Sequence, residues 1–232
     1  MVDIHTHILH NLDDGPKTLD DSVSIIRALI DDGVTDIVAT SHYFSASTSM
    51  EEFAARSRKR AESLKEVLAK ENLDVNIVLG AEVHIDSLLL NHQTLKMLCF
   101  ENTDNILLEV PPNFYENEAF ELIDKIMSYN RIKPIIAHIE RYNYFKSEQA
   151  LKRLRQMGCI IQIDVQCILG LRDRRFGLKM IEAGLIDVVS SDCHDLKLRK
   201  PNLSKAYALI EKKLGAEMVK QLKRSAEALI GK

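Results

Sequence analysis

The chain contains no tryptophan, and only 6% of its 232 residues are aromatic. That leaves little flat surface for stacking bases, the usual grip on single-stranded nucleic acid. Charge of one sign is missing as well. Lys and Arg number 31 against 34 Asp and Glu, for a formal net charge of -3 and a pI of about 6.3, so no global basic field would hold a nucleic acid or an anionic membrane. The four cysteines, Cys99, Cys159, Cys167 and Cys193, lack paired spacing. This excludes a disulfide framework and a zinc knuckle and suits a reducing compartment. No apolar run is long enough to span a bilayer, and the start, MVDIHTHIL, lacks the basic region and apolar core of a signal peptide. A cytoplasmic protein without direct membrane insertion is expected. What is present is 46% hydrophobic and 28% charged residues, the balance of a globular chain with a sizeable core, which excludes intrinsic disorder.

No Pro/Gly/Ser-rich linker divides the chain, so residues 1–232 read as a single domain. Short β-branched runs predict strands near Val2–His7, Asp36–Thr40, Asn76–Ala81, Asn105–Val110, Pro134–His138, Cys159–Asp164 and Ile186–Ser190. Segments of helical period fill the gaps. Leu19–Asp32 places Val23, Ile26 and Ile30 on one face before Gly33 stops it, and Met157-Gly158 and Ala183-Gly184 repeat that punctuation. Seven strand-then-helix units imply parallel strands joined by right-handed crossovers, in a closed barrel or a doubly wound sheet. Length and strand count favour a distorted TIM-like (β/α)7 barrel of the α/β class. Two C-terminal helices, Leu203–Lys213 and Ala216–Ile230, add a closing layer.

Histidines and carboxylates fall at the C-terminal ends of these strands. His5 and His7 end the first, His42 follows the second, Glu82 the third, Glu109 closes the fourth, His138 the fifth, and Asp192 and His194 follow the seventh. In a parallel strand-helix barrel these ends converge on one mouth. His5 and His7 share one side of a strand, since side chains alternate with period two, and both imidazoles could bind one ion. Glu82 and Glu109 follow apolar strands, where a buried carboxylate is expensive without a cation. With Asp14 of the DDG segment the candidates number nine, too many for one ion and suited to two or three with a bridging carboxylate. Mixed imidazole and carboxylate donors fit Mn, Fe or Zn better than Ca. Such a site generates hydroxide at neutral pH and neutralises charge on a phosphoryl group, which points to a phosphatase or nuclease.

The segments MVDIHTHILHNLDDGPKT, IVATSHY, GAEVHI, ILLEV, IIAHIERY and SSDCHDLKLRKP resemble the motifs of the polymerase and histidinol phosphatase (PHP) superfamily. Within it, they are most similar to the bacterial manganese-dependent protein-tyrosine phosphatases of capsule and exopolysaccharide operons, in order from Met1 to about Pro201. The resemblance implies a PHP-type barrel and two or three divalent ions, Mn foremost with Fe, Zn or Mg as alternatives. It also implies a substrate, the phosphotyrosine tail of a bacterial tyrosine kinase. It places His5, His7, Glu82 and Asp192 around one ion, lets Glu82 bridge to a second held with Glu109 and His138, and puts Asp14, His42 and His194 on a third. DDGPK read alone is only a turn and a helix start, so Asp14 rests on the resemblance. Arg141 and Arg199 match the family's phosphate-binding arginines, whose planar forks suit phosphate oxygens. The implied mechanism is direct attack of a metal-bridging hydroxide on phosphorus, with Asp14, His42 or His194 as either ligand or proton donor to the tyrosinate.

Ser41 and Tyr43 flank His42 where many superfamily members have Pro and His, and Glu109 stands where other branches have histidine, a change that points away from some nuclease branches. Cys193 and Arg199 satisfy the Cx5R spacing of cysteine-dependent tyrosine phosphatases, but the intervening HDLKL has no glycine to curl around a phosphate. Gln162 and Asp164 of the sixth strand could join the rim or simply follow core alternation. Arg56, Arg58, Lys59 and Arg60 read as a solvated helix face, whereas Arg172, Arg174 and Arg175, beyond strand six, could receive an acidic kinase tail. The rival readings are a small-molecule phosphomonoesterase such as a histidinol phosphatase, a PHP-type nuclease, and a non-catalytic platform. Against the last, no ligand position carries an inert residue.

Overall fold

The computed structural model describes residues 1–112 and 114–232. Parallel strands alternate with helices along it. Strands β1 (Val2–Thr6), β2 (Asp36–Ala39), β3 (His42–Tyr43), β4 (Asn76–Leu79) and β5 (Glu82–His84) are followed by β6 (Asn105–Glu109), β7 (Lys133–Ile136), β8 (Ile160–Asp164) and β9 (Val188–Ser190). The helices are α1 (Leu19–Asp31), α2 (Met50–Lys70), α3 (Glu116–Asn130), α4 (Glu148–Gln156), α5 (Val165–Leu169), α6 (Arg174–Glu182), α7 (Leu203–Leu214) and α8 (Ala216–Leu229). No helix among the described residues is long and apolar enough to cross a membrane.

Each of the seven strands read from the sequence has its counterpart, and the nine pieces arise because the second and third staves break. β2 pairs with β1 and β4, whereas its continuation β3 pairs with β5, itself the continuation of β4. The breaks fall at Thr40-Ser41 and Gly80-Ala81. Thr6 N–H donates to Thr40 Oγ1 at 3.0 Å, and Gly80 approaches so closely that an added Cβ would lie 2.7 Å from the Phe100 ring. Past the breaks, His42 pairs with Glu82, and β5, β6, β7, β8 and β9 follow in order, all parallel. The ring rejoins its start just beyond β9, where His7 N–H donates to Cys193 O at 2.8 Å and Asp192 N–H to His5 O at 3.0 Å. The result is the distorted seven-stave barrel of the α/β class.

Strand alternation sorts the apolar side chains into two clusters. Val2, Ile4, Val38, Leu107, Ile135 and Val188 face one another inside the ring. Their neighbours Ile37, Ile106, Leu108, Ile136 and Val189 belong to the larger cluster, with the helices. Phe100 and the α8 residues Ala226 and Leu229 join the inner cluster, and Asn105 Nδ2 donates to Leu229 O at 2.7 Å, so α8 stoppers the end of the barrel away from the histidines. Local chemistry sets the helix limits. Thr18 caps α1 by accepting from Asp21 N–H while its own N–H donates to Asp21 Oδ2, and Gly33, at φ 88, turns the chain out of α1 so that Val34 N–H reaches Leu29 O.

Because the inner cluster is closed at one end and polar at the other, it has little room to collapse. Leu107→Ala is expected to destabilise the fold by about 2–5 kcal/mol, read as a lower urea midpoint at unchanged slope; a loss below about 1 kcal/mol would place Leu107 outside a packed interior.

Candidate metal centre

The polar end of the barrel is built from strand termini. The β1–β2 register shifts between Asp3 and Thr6, a bulge that re-aims the end of β1, and His5 and His7 then bring their Nε2 atoms to 3.3 Å. Glu82, at the start of β5, is 1% exposed, with Oε2 at 3.1 Å from both of those nitrogens and 3.0 Å from His42 Nδ1. Asp192 Oδ1 completes the first group at 3.2 Å from His5 and 3.4 Å from His7.

Three groups of donor atoms are gathered closely enough to hold a metal ion: His5, His7, Glu82 and Asp192; His42, Glu82 and Glu109; and His7, Asp14, His42 and His194. His138 touches the second, its Nε2 at 2.7 Å from Glu82 Oε1 and 3.8 Å from Glu109 Oε1. His194 Nε2 lies 3.1 Å from Asp14 Oδ1. All nine candidate donors therefore meet at one rim, with Glu82, His7 and His42 each shared between groups. The donors fit an ion by a further observation. Glu82 Oε2, His42 Nδ1 and His194 Nε2 are buried yet make no hydrogen bond, an expensive state for atoms that converge on common points.

Two of the donors sit on strained backbone. His138 has φ 31 and Asp192 φ 50, in the left-handed region that costs a non-glycine residue about 1–3 kcal/mol. Both follow the last residue of a parallel strand by two positions, where the turn swings the side chain over the mouth.

Supporting residues fix the rings. Asp13 Oδ2 lies 2.8 Å from His7 Nδ1 and accepts from His42 N–H at 3.1 Å, and its Oδ1 accepts from Gly15 N–H. Tyr142 Oη accepts from Val110 N–H at 3.0 Å and stands 3.1 Å from His138 Nδ1. Gln162 Oε1 accepts from His138 N–H at 2.6 Å, while its Nε2 donates to Asp164 Oδ1. Such partners orient metal-binding imidazoles. Sequence reading overlooked Asp13 and Tyr142. For Asp13 the only signal was the doubled acid of DDG.

Arg141 bridges Asp164, at 2.5 Å, and Asp192, and Arg199 Nη2 donates to Asp14 Oδ2 at 2.5 Å. Each guanidinium thus borders one donor group. Cys193 is fully buried, and burial pushes its thiol up, reinforced by Asp3 and Asp192; a thiol of this kind is no nucleophile. Of the basic cluster beyond β8, Arg174 donates to Ile168 O and Leu169 O, which makes it a cap for α5, and Arg172 and Arg175 are exposed. A cleft of about 510 Å³ opens beside Asp14 and His194, walled by Pro16, Lys17, Leu196 and Leu198.

Electrostatics at the rim follow from packing acids against imidazoles. Burial disfavours a charged His5, but Glu82 and Asp192 outweigh it and raise the ring to about 9. His7 is likewise raised, against its burial, by Asp13, Asp192 and Glu82. Burial opposes ionisation of Glu82, yet the histidines hold it well below the usual carboxylate range. On the outer side the balance reverses. Burial and the neighbouring His7 charge lower His194 to about 4, and burial lowers His42.

Fold and donor set together define a class: barrel proteins whose C-terminal rim is equipped for divalent metal ions. Comparison with known proteins narrows it. The family model for capsular polysaccharide synthesis, CpsB/CapC, matches residues 1–230, and the chain belongs to this family. Tyrosine-protein phosphatase CpsB of Streptococcus agalactiae is 32% identical over 96% of this chain and 94% of its own. A crystal structure from work on YwqE of Bacillus subtilis and CpsB of Streptococcus pneumoniae, described as metal-dependent tyrosine phosphatases, superposes with a TM-score of 0.88. It is 30% identical and covers 99% of this chain and 94% of that one. A TatD-family hydrolase from Entamoeba histolytica, 12% identical, shares the fold with a TM-score of 0.57 over 99% of this chain and 97% of its own.

A metal ion binds neutral imidazole, whereas His5 and His7 are held protonated by their carboxylate neighbours. Loading the metal-stripped protein with Mn²⁺ near neutral pH is therefore expected to release protons, seen as calorimetric heats that vary with the ionisation enthalpy of the buffer. Heats independent of the buffer would mean that both rings are already neutral.

Proposed function

We propose that this chain is a metal-dependent protein-tyrosine phosphatase, acting on the phosphotyrosine tail of a bacterial tyrosine kinase that controls capsular or exopolysaccharide synthesis. The observation that carries this reading is the convergence of three donor groups on one rim, in a chain that matches tyrosine-protein phosphatases over nearly its whole length. On this reading residues 1–232 form one phosphoesterase domain. Its donors, His5, His7, Asp14, His42, Glu82, Glu109, His138, Asp192 and His194, hold two or three divalent ions, Mn first. Four buried cysteines without disulfides support a cytoplasmic location.

Bound divalent ions supply a hydroxide nucleophile at neutral pH and offset charge on the phosphoryl oxygens. The protein's own groups do the rest. Arg141 and Arg199 each keep one N–H on a site carboxylate, which fixes the guanidinium plane, and present the remaining donors to phosphate oxygens. Asp13, Gln162 and Tyr142 hold His7, His5 and His138 in register. Asp14, His42 and His194 serve as donors to the ions. His194 and His42 are lowered by burial, and Arg199 helps to hold Asp14 ionised against its burial, which supports their role as ion donors over that of proton donors to the leaving tyrosinate. The phenolate, with a parent pKa of about 10, departs more readily than an alkoxide.

Protein stripped with a chelator is expected to release phosphate from a phosphotyrosine peptide only after Mn²⁺ is restored, with histidinol phosphate turned over poorly in parallel. Turnover of histidinol phosphate alone would replace the proposed substrate by a small phosphomonoester, and turnover of neither would end the phosphatase reading. In the same assay Cys193→Ser should retain activity within about twofold, since a buried thiol has no part in the chemistry. His5→Ala should lose more than about a hundredfold. Equal losses would restore the cysteine mechanism. Replacing Arg172 and Arg175 by alanine is expected to raise KM for an acidic phosphotyrosine peptide several-fold and to leave KM for a small aryl phosphate unchanged; a common shift would exclude peptide docking there.

A further inference from the structure

Phe44 lies two residues after His42 and is 41% exposed, which leaves much of an apolar ring facing water. It is not a loose side chain at a loop tip. On one side Tyr43 is 1% exposed and packs edge-on against Phe53 with ring centroids 5.3 Å apart. On the other, Ser45 Oγ donates to Asp86 Oδ2 at 2.5 Å, and Asp86 Oδ1 accepts from Leu88 N–H and Leu89 N–H. The backbone at Phe44 is pinned at both neighbours.

Its ring is aimed at the donor groups. The centroid lies 5.6 Å from that of His42 and 5.2 Å from that of His84. His42 Nδ1 is 3.0 Å from Glu82 Oε2, and His84 Nδ1 is 3.2 Å from Glu109 Oε2. His84 belongs to none of the three donor groups. Phe44 and His84 thus form an aromatic wall against the donors His42 and Glu109.

We infer that this wall is the specificity element for the leaving group: Phe44, backed by His84, stacks on the phenyl ring of phosphotyrosine and lets the site favour aryl over alkyl phosphates. The inference rests on the phosphatase reading above and deepens it. A flat ring leaving the phosphorus needs an apolar face outside the polar rim, and offset or edge-on aromatic contacts provide it. A seryl or threonyl phosphate has no ring to offer and gains nothing from the wall.

The test compares wild type, Phe44→Ala and Phe44→Tyr, all Mn²⁺-loaded and checked for equal metal content, on one peptide carrying phosphotyrosine or phosphoserine at the same position. Phe44→Ala is expected to lower the phosphotyrosine-to-phosphoserine ratio of kcat/KM by roughly tenfold, mainly through KM, and Phe44→Tyr to restore it. An unchanged ratio would overturn the inference. So would equal losses on both substrates or a drop in bound metal, since Phe44 would then merely support His42. Wild-type protein inactive on the phosphotyrosine peptide would remove the phosphatase reading and this inference with it, whereas an active wild type with an unchanged ratio removes only the second.

Discussion

The carboxylate of Glu82 is the constraint from which the rest of the site follows. It is 1% exposed and has four imidazoles around it, at 3.1 Å for His5 and His7, 3.0 Å for His42 and 2.7 Å for His138. An isolated buried carboxylate would cost several kcal/mol and would avoid that cost by taking up a proton. Here the His5 and His7 rings, raised by their carboxylate neighbours, supply the positive charge instead, and those two rings can exchange that charge for a metal ion. The breaks in the second and third staves, the bulge in β1 and the left-handed backbone at His138 and Asp192 all serve to bring these groups to a single carboxylate.

Much of this was legible in the sequence for a simple reason. A charged side chain at the end of an apolar strand has only the barrel mouth to occupy, so PIIAH, NILLEV and DVVSSDCH announced His138, Glu109, Asp192 and His194 through their position alone. Parallel topology then guaranteed that the separate ends would meet. Asp14 was different, because DDGPK carries no strand and no period. Only the resemblance to a family marked it, and the structure puts its Oδ1 3.1 Å from His194 Nε2.

What could not be read was whatever depends on contacts between distant segments. The division of the second and third staves arises from an exchange of pairing partners at Thr40-Ser41 and Gly80-Ala81, and short apolar runs give no sign of it. Asp13 and Asp14 are chemically identical neighbours, yet one steadies His7 and the other joins a donor group. Arg174 looked equivalent to Arg172 and Arg175 until its carbonyl partners were seen. Phe44 carries no signal of its own in the sequence, since its anchor Asp86 and its neighbour His84 lie about forty positions away.

The seam between β1 and the end of β9 has a bearing on how the protein comes into being. The residues that close the ring through their backbones, His5, His7 and Asp192, also furnish the first donor group, and Ser191 reaches Asp3 across 188 positions. Closing so long a loop is a late event in folding. A nascent chain emerging from the ribosome therefore cannot assemble this first donor group until most of it has been made. An ion held by His5, His7, Glu82 and Asp192 joins only after that closure, and its binding then stabilises the seam.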